Sequence, residues 1–164
     1  MAQLEELRRE LLGPDSSGCL MCALCRGGAR PPPLVETDSA VVVLDRFARR
    51  RGHLIVIAQD HLEGVEEISW ELYLEVERLV FEARQALHRA LAPEQIYSAT
   101  LGAVVPLPMS FAHFHTHVIP VFESDERARP ARVLSWSEGV TVYEDDEALT
   151  LRQQILEAWP ERSG

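Results

Sequence analysis

The chain has 164 residues, 46% of them apolar and 26% charged, and a formal net charge of −10. That length suits one ordinary domain with a real hydrophobic core, and that composition belongs to a folded globular protein rather than a disordered one. The negative charge argues against broad attraction to nucleic-acid backbone or anionic membrane. The longest apolar runs, Ala40 to Leu44 and Leu54 to Ala58, are far too short to span a bilayer. The N-terminal segment carries acidic residues inside its apolar pattern, unlike a secretory signal, so a cytoplasmic location is expected.

Leu4, Leu7, Leu11 and Leu12 recur at helical spacing until Gly13-Pro14, which predicts a short opening helix. Cys19, Cys22 and Cys25 follow in a turn. An odd number so tightly spaced is a poor disulfide framework, whereas the Cys19-x-x-Cys22 spacing offers half of a tetrahedral metal set, two ligands short. Cys25 is left as a buried thiol or a substitute ligand. After the Gly27-Gly28 and Pro31-Pro32-Pro33 loop, Leu34 to Thr37 and Ala40 to Leu44 read as strands around a turn at Asp38-Ser39. Arg46, Arg49, Arg50 and Arg51 form a basic island, either a local positive site for a small anionic substrate or, more plainly, a solvated turn between strands. Leu54 to Ile57 is a third strand, apolar enough to be covered on both faces.

Ile68, Leu72, Val76, Leu79, Val80, Ala83, Leu87 and Leu91 keep helical spacing over about six turns. Ser69 can cap this long helix and Pro93 ends it. Gln95 to Thr100 is a fourth strand, Gly102 to Met109 a loop, and His113 to Phe122 a fifth strand. Glu123 to Arg132, polar and holding Pro130, reads as a linker. Val140 to Tyr143 and an acidic helix start at Glu144 to Glu147 lead to Leu151, Ile155 and Trp159 on one helix face. Strands first, then a helix, then strands predict an α+β fold with an antiparallel sheet. Residues 1–132 would form the main domain, and residues 133–164 a C-terminal extension packed on it.

Side chains alternate along a strand, so His113, His115 and His117 are expected on one face, with Phe114, Thr116 and Val118 on the other, toward the long helix. The first and third imidazoles lie about 13 Å apart along such a strand, too far to share one ion. The row must therefore divide its labour between metal binding and chemistry.

The segment His113-Phe114-His115-Thr116-His117-Val118-Ile119-Pro120 closely resembles the histidine triad motif, with half-polar Thr116 a mild departure. Leu44-Asp45, Gly52-His53-Leu54-Ile55-Val56-Ile57 and His61 resemble further blocks of that family, in the right order. The resemblance, over roughly Cys19 to Val121, implies a five-stranded antiparallel sheet with one long helix and additional terminal helices. It also implies a nucleotide hydrolase or nucleotidyl transferase acting at an α-phosphate. His115 would be the nucleophile, His117 would hold phosphate oxygens, and Ser110 would reach the phosphate or leaving group. Asp45 would accept the ribose hydroxyls, and Leu20 and Met21 would complete nucleotide binding. The branch with a C-x-x-C turn further implies a structural zinc on Cys19, Cys22, His61 and His113, and the family implies a homodimer. His53, at a strand start, is read as structural.

One stretch departs from the family pattern. Neither the asparagine nor the glutamine usual before the triad is present in Thr100 to Ser110; Met109 stands roughly where the glutamine is expected and cannot donate a hydrogen bond. A non-catalytic nucleotide-binding module with a structural zinc site is the alternative, and a zinc-stabilised interaction protein is a third reading.

Overall fold

A computed structural model describes residues 9–10, 12, 18–100, 111–135 and 139–161. Leu4, Leu7 and Leu11, which carry the expected opening helix, lie outside the described residues, as do Met109, Ser110 and Trp136. The elements in order are α1 (Leu20–Ala23), β1 (Val35–Glu36), β2 (Ala40–Leu44), β3 (Phe47–Ala48), β4 (Leu54–Ala58), α2 (Trp70–Leu91), β5 (Gln95–Thr100), β6 (His115–Val121), α3 (Pro130–Val133), β7 (Thr141–Val142) and α4 (Asp145–Glu157). Short 3-10 turns at Val65–Glu67 and Glu126–Ala128 separate some of them. Among the described residues no helix is long and apolar enough to cross a membrane.

Five strands form one antiparallel sheet in the order β1-β2-β4-β6-β5. Its alternation sorts side chains between two faces. Val42, Leu44, Leu54, Val56, Phe114 and Val118 pack with Val76, Leu79, Ala83 and Leu87 of α2. Val41, Val43, Ile55 and Ile57 pack on the opposite face with Met21, Cys25 and Ala29 from the cysteine segment. Both faces are covered, which is why every residue of β2 and β4 is buried. Ser69 caps α2 as expected, its hydroxyl accepting from the Leu72 amide at 3.1 Å.

Four expectations need correction. The fifth strand begins at His115 rather than His113, because the Ala58 carbonyl that would continue its pairing with β4 is taken by the His113 ring and the Cys25 thiol. The cysteine turn is helical: α1 continues through Leu24–Gly28 as a wider turn. The basic turn contains strand β3, paired with β7, and its Arg49 is buried rather than solvated. The linker over Glu123 to Arg132 holds a 3-10 turn and the start of α3.

The C-terminal elements share the main core. Leu151 and Ile155 are fully buried with Leu79 and Leu87 of α2, and the Trp159 indole donates to Glu82 at 3.1 Å. Tyr143 is buried, and its hydroxyl accepts the Gly52 amide at 2.9 Å. Gly52 turns the chain into β4 at φ +87, where a Cβ would stand 2.5 Å from Leu91. The tail thus fixes the turn that delivers His53. Tyr143→Phe, which leaves a buried amide without its acceptor, is expected to lower unfolding free energy by about 1–3 kcal/mol in chemical denaturation; an unchanged midpoint would show that this contact contributes nothing.

Candidate active site and metal cluster

Two clusters of imidazoles lie side by side at the start of β6. In the first, His113 Nδ1 lies 3.3 Å from Cys19 Sγ and 3.5 Å from Cys22 Sγ, and His61 Nδ1 lies 3.4 Å from Cys22 Sγ. All four ligand atoms fall within 4.8 Å of one another. Zinc bonds of ~2.3 Å to sulfur and ~2.0–2.1 Å to nitrogen imply tetrahedral edges of about 3.5 Å. The remote nitrogens suit the same purpose: His113 Nε2 donates to the Ala58 carbonyl at 2.8 Å, and His61 Nε2 faces Glu63 Oε1 at 3.4 Å. A ligating histidine is commonly oriented through its other nitrogen in this way. Burial raises the Cys19 thiol, but the neighbouring His113 ring and the Cys22 amide outweigh it and bring it down to about 6, while burial and the Cys19 charge push Cys22 up. These four residues bring two sulfurs and two imidazole nitrogens together in a set that can hold a metal ion.

Cys25 stands outside that set. Its thiol donates to the Ala58 carbonyl at 3.6 Å, and burial pushes it up to about 12. It is a buried apolar-site thiol, not a ligand.

The second cluster comprises His115, His117, His53 and Asp45. His115 pairs with Ile57 and His117 with Ile55 across the sheet, so both rings stand on the face opposite α2. Alternation along β6 is as the sequence predicts, but His113 precedes the strand and turns to the cysteines. His115 Nδ1 lies 2.6 Å from the His113 carbonyl. A carbonyl only accepts, so Nδ1 carries the proton and Nε2 keeps the lone pair. The His115 and His117 rings meet edge to face, with centroids 4.9 Å apart.

His117 Nδ1 lies 3.0 Å from His53 Nε2, and His53 Nδ1 lies 3.0 Å from Asp45 Oδ2. Asp45 Oδ1 accepts the Phe47 amide at 2.9 Å. Burial, then neighbouring positive groups including Arg49, hold His53 and His117 well below the ordinary imidazole value, so both are neutral at pH 7. Burial also lowers His115, partly opposed by its bond to the His113 carbonyl. Asp45 is pushed up to about 6 by burial, against the Phe47 amide and the Arg49 charge.

The remaining expected site residues fall as follows. Met21 is buried on the sheet face that carries the histidines, and Leu20 is buried beside it in α1. Ser110 lies outside the described residues. Thr100, the stand-in for the absent asparagine, has its hydroxyl on that of Thr116 at 2.8 Å. Sequence reasoning underweighted His53 and Arg49. Both are buried, and their signal was faint: a histidine at the edge of an apolar strand, and one arginine among four.

Residues 18–131 match the family model described as the scavenger mRNA decapping enzyme C-terminal binding domain. Similar proteins include an uncharacterized HIT-like protein of Mycoplasma genitalium, 26% identical over 66% of this chain and 77% of its own. The adenosine 5'-monophosphoramidase of Schizosaccharomyces pombe is 26% identical over 62% of this chain and 73% of its own. Among solved structures, a histidine triad nucleotide-binding protein from Sulfolobus tokodaii aligns with a TM-score of 0.67 at 20% identity, over 85% of this chain and 91% of that one. A zinc-bound histidine triad family protein from Mycobacterium smegmatis aligns with a TM-score of 0.64 at 20% identity, over 85% and 94%. With the triad leading into β6, the five-stranded antiparallel sheet and these matches together, the chain belongs to the histidine triad family.

Proposed function

We propose that this protein is a nucleotide hydrolase or nucleotidyl transferase acting at the α-phosphate of a nucleoside phosphate or dinucleoside polyphosphate. His115 Nε2 attacks phosphorus and forms a nucleotidyl-histidine, which water or an acceptor then resolves. One observation carries this reading: the His115 Nδ1–H bond to the His113 carbonyl leaves a lone pair on Nε2 of a neutral ring. Splitting the displacement into two steps is the advantage of such a nucleophile. His117 holds phosphate oxygens, and family resemblance gives Ser110 a role toward the phosphate or leaving group. Asp45 meets the ribose, and Leu20 and Met21 line the nucleotide site. The family match and the phosphoramidase relative support the reaction class.

The reading predicts an intact-protein mass gain of one nucleotidyl group on incubation with a hydrolysable nucleotide. His115→Ala should abolish that adduct and lower turnover by on the order of 10³-fold or more. Nucleotide binding without turnover or adduct would favour the non-catalytic module, which the missing Asn and Gln before the triad also fit.

Cys19, Cys22, His61 and His113 hold zinc in a closed, structural site. A closed four-ligand set leaves no position for substrate, so the metal braces α1 against the entrance to β6. Metal analysis should find one zinc per chain in the wild type and little in Cys22→Ser, whose melting temperature should fall. A metal-free wild type with full stability would contradict this. The three free cysteines suit a reducing, cytoplasmic setting.

The protein pairs with a second copy. Trp70, Leu74 and Phe81 are exposed on α2 and lie within a narrow arc of its surface, and β5 is an edge of the sheet. Light scattering should give a dimer mass at micromolar concentration, and Phe81→Glu should give a monomer. A wild-type monomer under those conditions rules the pairing out.

A further inference from the structure

His53 belongs to the site without having a part in the reaction proposed above, and Asp45 does more than meet a ribose. His53 is fully buried; it turns Nδ1 to Asp45 Oδ2 and Nε2 to His117 Nδ1, each at 3.0 Å. Asp45, His53 and His117 are close enough together to suggest ligands for an ion. A residue that uses both ring nitrogens on its two neighbours instead forms the middle of a hydrogen-bonded string.

A neutral imidazole has one N–H and one lone pair, so the role of one nitrogen decides the role of the other. Two arrangements that differ by one proton satisfy the string. In one, the Asp45 carboxylate accepts from His53 Nδ1–H, His53 Nε2 accepts from His117 Nδ1–H, and His117 Nε2 bears a lone pair. In the other, the Asp45 carboxyl donates its O–H to His53 Nδ1, His53 Nε2–H donates to His117 Nδ1, and His117 Nε2–H becomes a donor. The Arg49 amide, 3.3 Å from His53 Nδ1, donates to that atom and favours the second arrangement. So does an anion at His117, because phosphate oxygens accept.

We propose that Asp45 and His53 are positioning residues that pass one proton between the Asp45 carboxyl and His117 Nε2, where the leaving group collects it. The step rests on the reading that His115 attacks phosphorus. As the bond from phosphorus to the leaving group breaks, its electron pair takes the proton from His117 Nε2. His117 Nδ1 then takes the His53 Nε2 proton, and His53 Nδ1 takes that of Asp45, which ends as a carboxylate. When water attacks the adduct, the bond from phosphorus to His115 Nε2 breaks and its electrons return to nitrogen. The proton of the water enters at His117 Nε2, and the string runs back to Asp45. Protons balance over the cycle.

Burial supports this exchange by bringing Asp45 to about 6, near enough to neutrality for its proton to come and go. The other charged or titratable groups acting on the string are Arg49, His115 and Tyr143.

The test compares wild type with Asp45→Asn and His53→Gln on two nucleotides of the same base. One is a 5'-phosphoramidate, whose amine must leave protonated. The other is a p-nitrophenyl 5'-ester, whose phenolate leaves without a proton. Each is used in the ribo and 2'-deoxy form. In the single-turnover rate of adduct formation, both variants should lose about 10²-fold on the phosphoramidate and less than about threefold on the ester, and in His53→Gln this should hold equally for both sugars; a KM rise on the ribo substrates in Asp45→Asn reports its ribose contact alone. Equal losses in the rate of adduct formation on both leaving groups would overturn the string. A wild type that turns over neither substrate sinks the proposed function, and the string with it. Nitrogen-15 NMR of histidine in the wild type gives a second reading independent of any variant. His117 should change from the Nδ1–H to the Nε2–H tautomer as pH falls through the Asp45 titration; a single tautomer throughout would refute the proposal.

Discussion

Each of the three triad imidazoles has one nitrogen committed to a partner in the fold, and that commitment shapes what its other nitrogen can do. His113 gives Nε2–H to the Ala58 carbonyl, which leaves Nδ1 toward the two cysteines. His115 gives Nδ1–H to the His113 carbonyl, which leaves a lone pair on Nε2. His117 engages Nδ1 with His53. Three rings of the same chemistry, spaced two residues apart, thereby acquire three different roles. Without the two carbonyl bonds His113 and His115 could adopt either tautomer, and the row would specify no reaction.

The sheet makes the commitments possible. Pairing of β6 with β4 brings His115 beside Ile57 and His117 beside Ile55, on a face closed by the cysteine helix. Ala58, the last residue of β4, turns its carbonyl to His113 and Cys25 instead of continuing the ladder. That is where the metal cluster and the imidazole row part company. An ion bound by Cys19, Cys22, His61 and His113 would therefore hold α1, β4 and β6 at one point.

The local periodicities were legible in the sequence. Alternation of His115 and His117, the apolar run of β4, and the spacing of α2 with Ser69 at its start all follow from rules that act within a few residues. The C-x-x-C pair was visible too, although its partners His61 and His113 came from resemblance to a family. What sequence reasoning missed depends on contacts between distant residues. His53 meets His117 across 64 positions, and Tyr143 meets Gly52 across 91. The pairing of β3 with β7 belongs to the same class. Arg49 looks in sequence like its neighbours Arg50 and Arg51, and only the fold buries it. A chain with net charge −10 thus keeps one buried guanidinium beside its imidazoles, where a phosphate would need a positive neighbour.

The stereochemical course at phosphorus tests the central claim most directly. A nucleotide made chiral at its α-phosphorus with sulfur and oxygen isotopes would be turned over and the configuration of the product determined. Attack by His115 followed by attack of water is two in-line displacements, so the account predicts retention. Inversion would mean that water or the acceptor reaches phosphorus in a single step, and His115 would then have no covalent part in the reaction.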